Sequence, residues 1–202
     1  PVGCATLNLV YWGGDVLGAA HGRAPAVATG FKRSNPDRLV FAYQGDGDCA
    51  AIGLAEIMNA ANRGENITVI FFNNQTYGMT GGQMAPTTLI GQKTTTTRYG
   101  RDPETTGYPL RMCELLATLE APAFIARYPL NTPKGCRDAK KAIRKGFDIQ
   151  MAGKGFSFIE LLGNCPTNWG LTPLQTLDYM ETNTIPYFVP GVYKDKFKDG
   201  VK

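Results

Sequence analysis

The chain has no apolar run long enough to span a membrane and no basic-then-apolar start of the secretory kind. The expected compartment is therefore the cytoplasm. Its five cysteines, at positions 4, 49, 113, 136 and 165, form no disulfide framework of recognisable spacing. An odd thiol count in an intracellular protein suits free thiols or metal ligands better. No Cys-x-x-Cys pair occurs anywhere. His21 is the only histidine, and a lone histidine is by default a satisfied structural residue. There is no internal repeat or low-complexity segment; Thr94–Thr97 is a short polar run that reads as loop. The net charge is only +4. Basic clusters at Lys140-Lys141-Arg144-Lys145 and Lys194–Lys202 read as a solvated helix face and a tail, not as a nucleic-acid surface. Methionine is missing from the first position, where Pro1 stands, so the sequence reads as a fragment or a processed form.

What is present suits one domain over residues 1–202, with a tail from about 186. Apolar residues make up 43% and charged residues 19%, enough to build a core. Apolar runs predict strands at 39–43, 67–72, 123–127 and 156–162. Between them, helical spacing predicts helices after His21-Gly22-Arg23, over 48–62 (Ala51, Leu54, Ala55, Met58 and Ala61 inward), over 111–119 and over 134–151 (Ala139, Ala142, Ile143, Phe147 and Met151 inward). Thr172 caps a last helix, with Pro173 at its first position. Strands alternating with helices predict an α/β fold with a mainly parallel sheet flanked by helices. The polar stretch 80–109 is long for a compact domain, a length that marks a functional or partner-facing loop as readily as an ordered surface excursion.

The stretch from Tyr43 to Gln83 carries the chemistry. Gly45-Asp46-Gly47-Asp48 follows one predicted strand, and Asn73-Asn74-Gln75-Thr76 follows the next. Parallel strands bring both loops to one sheet edge, where open α/β sheets bind ligands, although 25 residues separate Gly47 from Asn73. Asp46 offers a carboxylate, Asn73 or Asn74 an amide oxygen, and the turn at Gln75-Thr76 main-chain carbonyls. Hard oxygens of this kind suit magnesium or calcium, and magnesium commonly completes its shell with water and substrate phosphates. Gly45 and Gly47 allow close backbone approach, and the helix beginning near Asp48 aims its amides at an anion. The two loops fit a magnesium-bridged diphosphate. Plainer roles exist for each residue: Asp46 as a helix cap, Asn74 as an Asx turn, and Met79 as core filler.

Gly45-Asp46-Gly47, then 25 residues, then Asn73-Asn74 resembles the thiamine diphosphate-binding motif. With Tyr77-Gly78-Met79-Thr80-Gly81-Gly82-Gln83, His21-Gly22-Arg23 and Cys165-Pro166-Thr167, the chain resembles the β subunit of the 2-oxoacid:ferredoxin oxidoreductases from about Val2 to about Tyr193. The resemblance implies the thiamine diphosphate-binding fold. It implies Mg²⁺ on Asp46, Asn74 and the Thr76 carbonyl, and cofactor contacts from Gly3, Cys4, Ala5, His21, Gly45, Asp46, Gly47, Asp48, Asn74, Thr76, Tyr77, Gly78 and Met79. His21 would lie near the diphosphate, and Met79 beneath the thiazolium or at the substrate pocket, the two residues given catalytic roles. The implied reaction is oxidative decarboxylation of a 2-oxo acid, with coenzyme A taking the acyl group and ferredoxin the electrons. The cofactor carries the hard chemistry, and the protein positions it. The implied partners are α subunits, with γ or δ subunits in some assemblies. In this family the glutamate that activates the cofactor comes from the partner, and no acidic residue of this chain is assignable to that role. The basic clusters offer a surface to an acidic electron carrier.

The family's β subunit often holds a [4Fe–4S] cluster on four cysteines. Cys4 in Val-Gly-Cys and Cys165 in Asn-Cys-Pro match two of its ligand segments, while the Cys-x-x-Cys pair is missing. Loss by truncation, in keeping with Pro1, is the favoured explanation, and Cys4 and Cys165 are expected side by side near the cofactor. Two other functions share the Gly-Asp-Gly and Asn-Asn signature: a non-oxidative thiamine enzyme half, transketolase-like or a decarboxylase, and a noncatalytic cofactor-binding subunit.

Overall fold

Phe41–Gly45 (β1) and Thr68–Asn73 (β2) run parallel, Phe41 opposite Thr68 and Gly45 opposite Phe72. This pairing ends both strands together and sets the loops that follow them side by side. The computed structural model describes residues 2–201; Pro1, and Lys202 of the basic tail cluster, lie outside the described residues. In chain order, α1 is Asn8–Tyr11, α2 Ala24–Ser34 and α3 Leu54–Asn62. A two-residue hairpin follows β2, with β3 at Thr76–Tyr77 and β4 at Gln83–Met84. Then come α4 (Pro103–Thr106), α5 (Met112–Ala117), β5 (Phe124–Pro129), α6 (Pro133–Met151) and β6 (Ser157–Leu162). The chain closes with α7 (Pro166–Trp169), α8 (Pro173–Tyr179), α9 (Ile185–Tyr187) and β7 (Gly191–Asp195).

The main sheet has the order β1-β2-β6-β5-β7. Its first four strands are parallel, and β7 pairs antiparallel with β5. Central β6 is buried at every position, as a strand covered on both faces must be. One face packs on α2, α3 and α5 through Ile57, Ala60, Ile67, Val69, Phe71, Met112 and Phe158. The other packs on α6 through Ile70, Ala126, Ala139, Ala142, Ile149 and Ile159. This is the α/β fold with a mainly parallel sheet that the alternation predicts. No helix among the described residues is long and apolar enough to cross a membrane.

Two expectations need correction. The helix over 48–62 is two pieces: a wide-turned π segment, Gly47–Ile52, then α3, with Gly53 at the joint. A Cβ on Gly53 would stand 2.2 Å from the Asp48 carbonyl oxygen and 2.6 Å from that of Gly22, so the loop at Gly22 seats itself in the break. The break shifts the helix phase: Ile57, Ala60 and Ala61 carry the core face, and Ala55 is exposed. In α6, Met151 is exposed (54%) while Gln150 turns inward. The Gln150 amide hydrogen bonds with both the N–H and the carbonyl of Val40, at 2.7 Å each, and with the Thr68 hydroxyl at 3.0 Å, where β1 and β2 begin to pair. The segment from about 186 lies along the domain edge. Phe188 is fully buried and β7 completes the sheet edge. The stretch 80–109 is ordered, as one of its two readings has it, and is pinned by buried Arg101, whose guanidinium donates to the carbonyls of Ala85, Pro86, Thr88, Thr106, Gly107 and Tyr108.

Candidate functional site

At the carboxyl edge of β1 and β2, buried Asp46 accepts the N–H groups of Asn74 and Thr76, both at 3.2 Å on Oδ2, and the Thr87 hydroxyl at 2.9 Å on Oδ1. Burial raises its carboxyl to about 7, against the lowering pull of the bonds from Thr87, Thr76 and Asn74. The Asn74 side-chain amide lies 2.6 Å from Asp46 Oδ2 and 2.8 Å from the Thr76 carbonyl oxygen, and with its NH₂ on that side it donates to both. Turned over, the same amide presents its oxygen to that point beside the other two. The donor set is one carboxylate, one amide and one carbonyl, hard oxygens that leave room for water and phosphate on a small cation. The residues fit magnesium. Among the described residues no group of three or more His, Cys, Asp or Glu side chains could hold a metal ion, so a cation at this turn would draw on amide and carbonyl oxygens beside the Asp46 carboxylate.

Around this turn lie the other predicted residues. A Cβ on Gly45 would meet nothing within 4 Å, which leaves its main chain open to a ligand. A Cβ on Gly47 would stand 3.1 Å from the Tyr77 ring, so glycine lets this ring lie on the loop. Asp48 is buried, and its carboxylate is fully engaged: Oδ1 with His21 Nδ1 at 2.6 Å and the Gly22 N–H at 2.8 Å, Oδ2 with the Gln44 amide at 2.6 Å. What Asp48 offers a ligand is its main chain. Its side chain holds His21 by one ring nitrogen, fixing the ring orientation and leaving Nε2 free of that contact. Met79 is 52% exposed, which excludes a core-filling role. Gly3 has a left-handed φ of 86° and open space around its Cα, Ala5 is buried, and Cys4 is exposed.

Cys4 and Cys165 come together at Gly78: a Cβ there would stand 3.2 Å from one sulfur and 3.6 Å from the other. Asn168 joins the group, its amide donating to the Gly78 carbonyl and to the Cys165 sulfur, both at 3.1 Å. Cys49 and Cys113 are buried elsewhere, and Cys136 sits on α6. A four-cysteine cluster therefore does not fit the described residues.

Several residues of the site carry no signal in the sequence. Thr87, Trp169 and Asn168 reach the turn from distant segments, and only the fold brings them there. The positive φ of Gln75, 64°, is likewise unannounced by its residue type.

Residues 2–161 match the model of the thiamine pyrophosphate enzyme C-terminal, TPP-binding domain. The ketoisovalerate oxidoreductase subunit VorA of Methanothermobacter thermautotrophicus is 56% identical over 168 residues, 83% of this chain and 35% of that protein. The 2-oxoglutarate synthase subunit KorB of Methanocaldococcus jannaschii is 37% identical over 190 residues, 91% of this chain and 66% of that protein. Among solved structures, the 2-oxoglutarate:ferredoxin oxidoreductase from Magnetococcus marinus, with 2-oxoglutarate, coenzyme A and succinyl-CoA bound, aligns with a TM-score of 0.68 at 28% identity, over 87% of this chain and 63% of that one. The chain thus spans between about a third and two thirds of the length of these relatives. With the Asp46–Asn74–Thr76 turn at the edge where that fold binds its ligand, the chain belongs to the thiamine pyrophosphate enzyme family, as its C-terminal, TPP-binding domain.

Proposed function

We propose that the chain is the thiamine diphosphate-binding part of an oxidoreductase that decarboxylates a 2-oxo acid to its acyl-CoA and passes the electrons to ferredoxin. The observation that carries this reading is the meeting of the Asp46 carboxylate, the Asn74 side-chain amide and the Thr76 carbonyl at one point of the sheet edge. Relatives named for ketoisovalerate and 2-oxoglutarate oxidation support the substrate class, with a branched-chain 2-oxo acid or 2-oxoglutarate ahead of pyruvate.

The residues divide the work. Asp46, Asn74 and the Thr76 carbonyl would hold Mg²⁺, which would supply positive charge to a diphosphate. The open main chain at Gly45–Asp48 would take the phosphates. Thiamine diphosphate, when bound, supplies the carbanion chemistry that releases CO₂ from a 2-oxo acid. His21, held by Asp48 through Nδ1, presents Nε2 as a fixed donor or acceptor toward the cofactor. Gly78 and Met79 border the pocket, with Met79 free to contact a ligand. The glutamate that activates the aminopyrimidine comes from an α-type partner subunit, as does much of the substrate pocket, and the enzyme works in the cytoplasm. A cluster that collects Cys4 and Cys165 requires cysteines beyond this chain.

The test uses the native assembly purified anaerobically. A panel of 2-oxo acids is assayed for CO₂ release and coenzyme A-dependent reduction of a viologen dye or ferredoxin. Turnover that needs the acceptor supports the reading. CO₂ release that ignores every acceptor would assign the chain to a non-oxidative thiamine enzyme instead. Cofactor titration adds a second arm: Asp46→Ala is expected to lose Mg²⁺-dependent thiamine diphosphate binding while the fold survives. Undiminished binding would remove Asp46 from the metal site.

A further inference from the structure

We propose that Gln75 is a positioning residue for the metal turn and that its anchor is Thr184, two residues that touch neither metal nor cofactor. The inference rests on the reading of Asp46, Asn74 and Thr76 as the magnesium site. Gln75 lies between two of those residues and is the one non-glycine with positive φ among the described residues, at 64°. A left-handed residue reverses the main chain locally. Here the reversal lets the Asn74 side chain and the Thr76 carbonyl, two residues apart, face the same point. A residue with a Cβ occupies this region at a cost and persists where the surroundings over-determine it.

The surroundings do so on every side. Gln75 is fully buried. Its N–H donates to Asn73 Oδ1 at 3.2 Å, and its carbonyl accepts the Thr88 hydroxyl at 2.6 Å. Its Nε2 donates to the Thr184 hydroxyl oxygen at 2.8 Å, across 109 residues of chain. Thr184 is itself fully buried, at the end of the wide-turned segment Met180–Thr184. The Gln75 Oε1 has no hydrogen-bond partner among the described residues, a cost that an apolar side chain would avoid. The amide is therefore held by what its Nε2 provides, a tie between the metal turn and the segment after α8. Without that tie Gln75 can relax toward ordinary φ values, and Asn74 and Thr76 lose their common focus.

The test measures the Mg²⁺ concentration that half-saturates thiamine diphosphate binding in the native assembly, alongside the melting temperature without ligands. Thr184→Val removes the hydroxyl at constant shape and is expected to raise the Mg²⁺ midpoint roughly threefold to tenfold, the worth of one buried hydrogen bond. Thr184→Ser returns the hydroxyl and is expected to restore the parent midpoint. Gln75→Gly keeps the left-handed region accessible but loses the tie, and is expected to raise the midpoint as well. A purely structural role would lower the melting temperature of Thr184→Val and leave the midpoint in place, and that result overturns the proposal. Parent-like midpoints in both Thr184→Val and Gln75→Gly overturn it too. If the parent assembly binds thiamine diphosphate without any Mg²⁺ requirement, the metal site itself is wrong, and the inference falls with it.

Discussion

The indole N–H of Trp169 donates to the main-chain carbonyl of Asn74 at 3.1 Å. The bond joins α7, which follows Cys165, to the residue whose side chain faces Asp46. The Trp169 ring rests on Tyr179, with centroids 5.1 Å apart, so its position is set by the α8 layer.

This contact makes Trp169 an internal reporter. The chain has two tryptophans, and Trp12 packs instead on Phe41. In a Trp12→Phe variant, adding Mg²⁺ and thiamine diphosphate is expected to shift or quench the remaining emission with the binding isotherm of the cofactor. Emission unchanged at saturation would disconnect Trp169 from the turn.

Asp46 gives the site a pH dependence. Its carboxyl is raised from 3.8 to about 7, by burial above all. The folded, ligand-free chain thus holds a proton that the unfolded chain has shed between these values, and its stability falls as pH rises through that window. Cation binding has the opposite slope, because the ligand must be deprotonated. The Mg²⁺ midpoint is expected to rise as pH drops below about 7, approaching tenfold per unit for a single displaced proton. Asp46→Asn should flatten that slope as well as weaken binding. A midpoint independent of pH in the parent would contradict the assignment.

Arg127 and Glu160 form a fully buried pair on adjacent strands, Nε to Oε2 at 2.8 Å. Burial opposes the charge on Arg127, and the carboxylates of Glu160 and Glu114 outweigh it and hold the guanidinium protonated. Glu160 also accepts the Asn73 amide at 2.7 Å, at the root of the metal turn. Breaking one member of such a pair costs about 3–5 kcal/mol. Glu160→Gln is expected to destabilise the chain on that scale in chemical denaturation. Glu114→Gln should cost less, since its side chain is 35% exposed and water screens it. The reverse ranking would count against the pair as a core element.

Gly53 is required for close approach, not for backbone freedom: its φ is −93°, open to any residue. Gly53→Ala would push a methyl group into the Asp48 and Gly22 carbonyls. The expected cost is about 1–3 kcal/mol or more. His21 should move off Asp48, and cofactor affinity should fall with it. A parent-like melting temperature would show that the loop yields freely.

The sequence determined the strand pair and its consequence. Apolar runs at 39–43 and 67–72, separated by a helix-length segment, lead to parallel strands, and parallel strands place Asp46 beside Asn74 whatever the remaining details. It likewise determined the helix start at Thr172, because capping is a matter of a few neighbouring residues. Other features were settled by contacts between distant segments, which leave no local pattern. The break at Gly53 depends on the Gly22 loop, the inward turn of Gln150 on Val40 and Thr68, and the conformation of Gln75 on Thr184 and Thr88. Cys4 and Cys165 were paired from the resemblance alone, and their meeting at Gly78 depends on where the 3₁₀ turn Cys4–Leu7 and α7 set two segments that share no periodicity. Local spacing encodes which elements form. Burial and hydrogen-bond partners across the fold decide which side chains those elements bring together, and the orientation of the site is a property of that second kind.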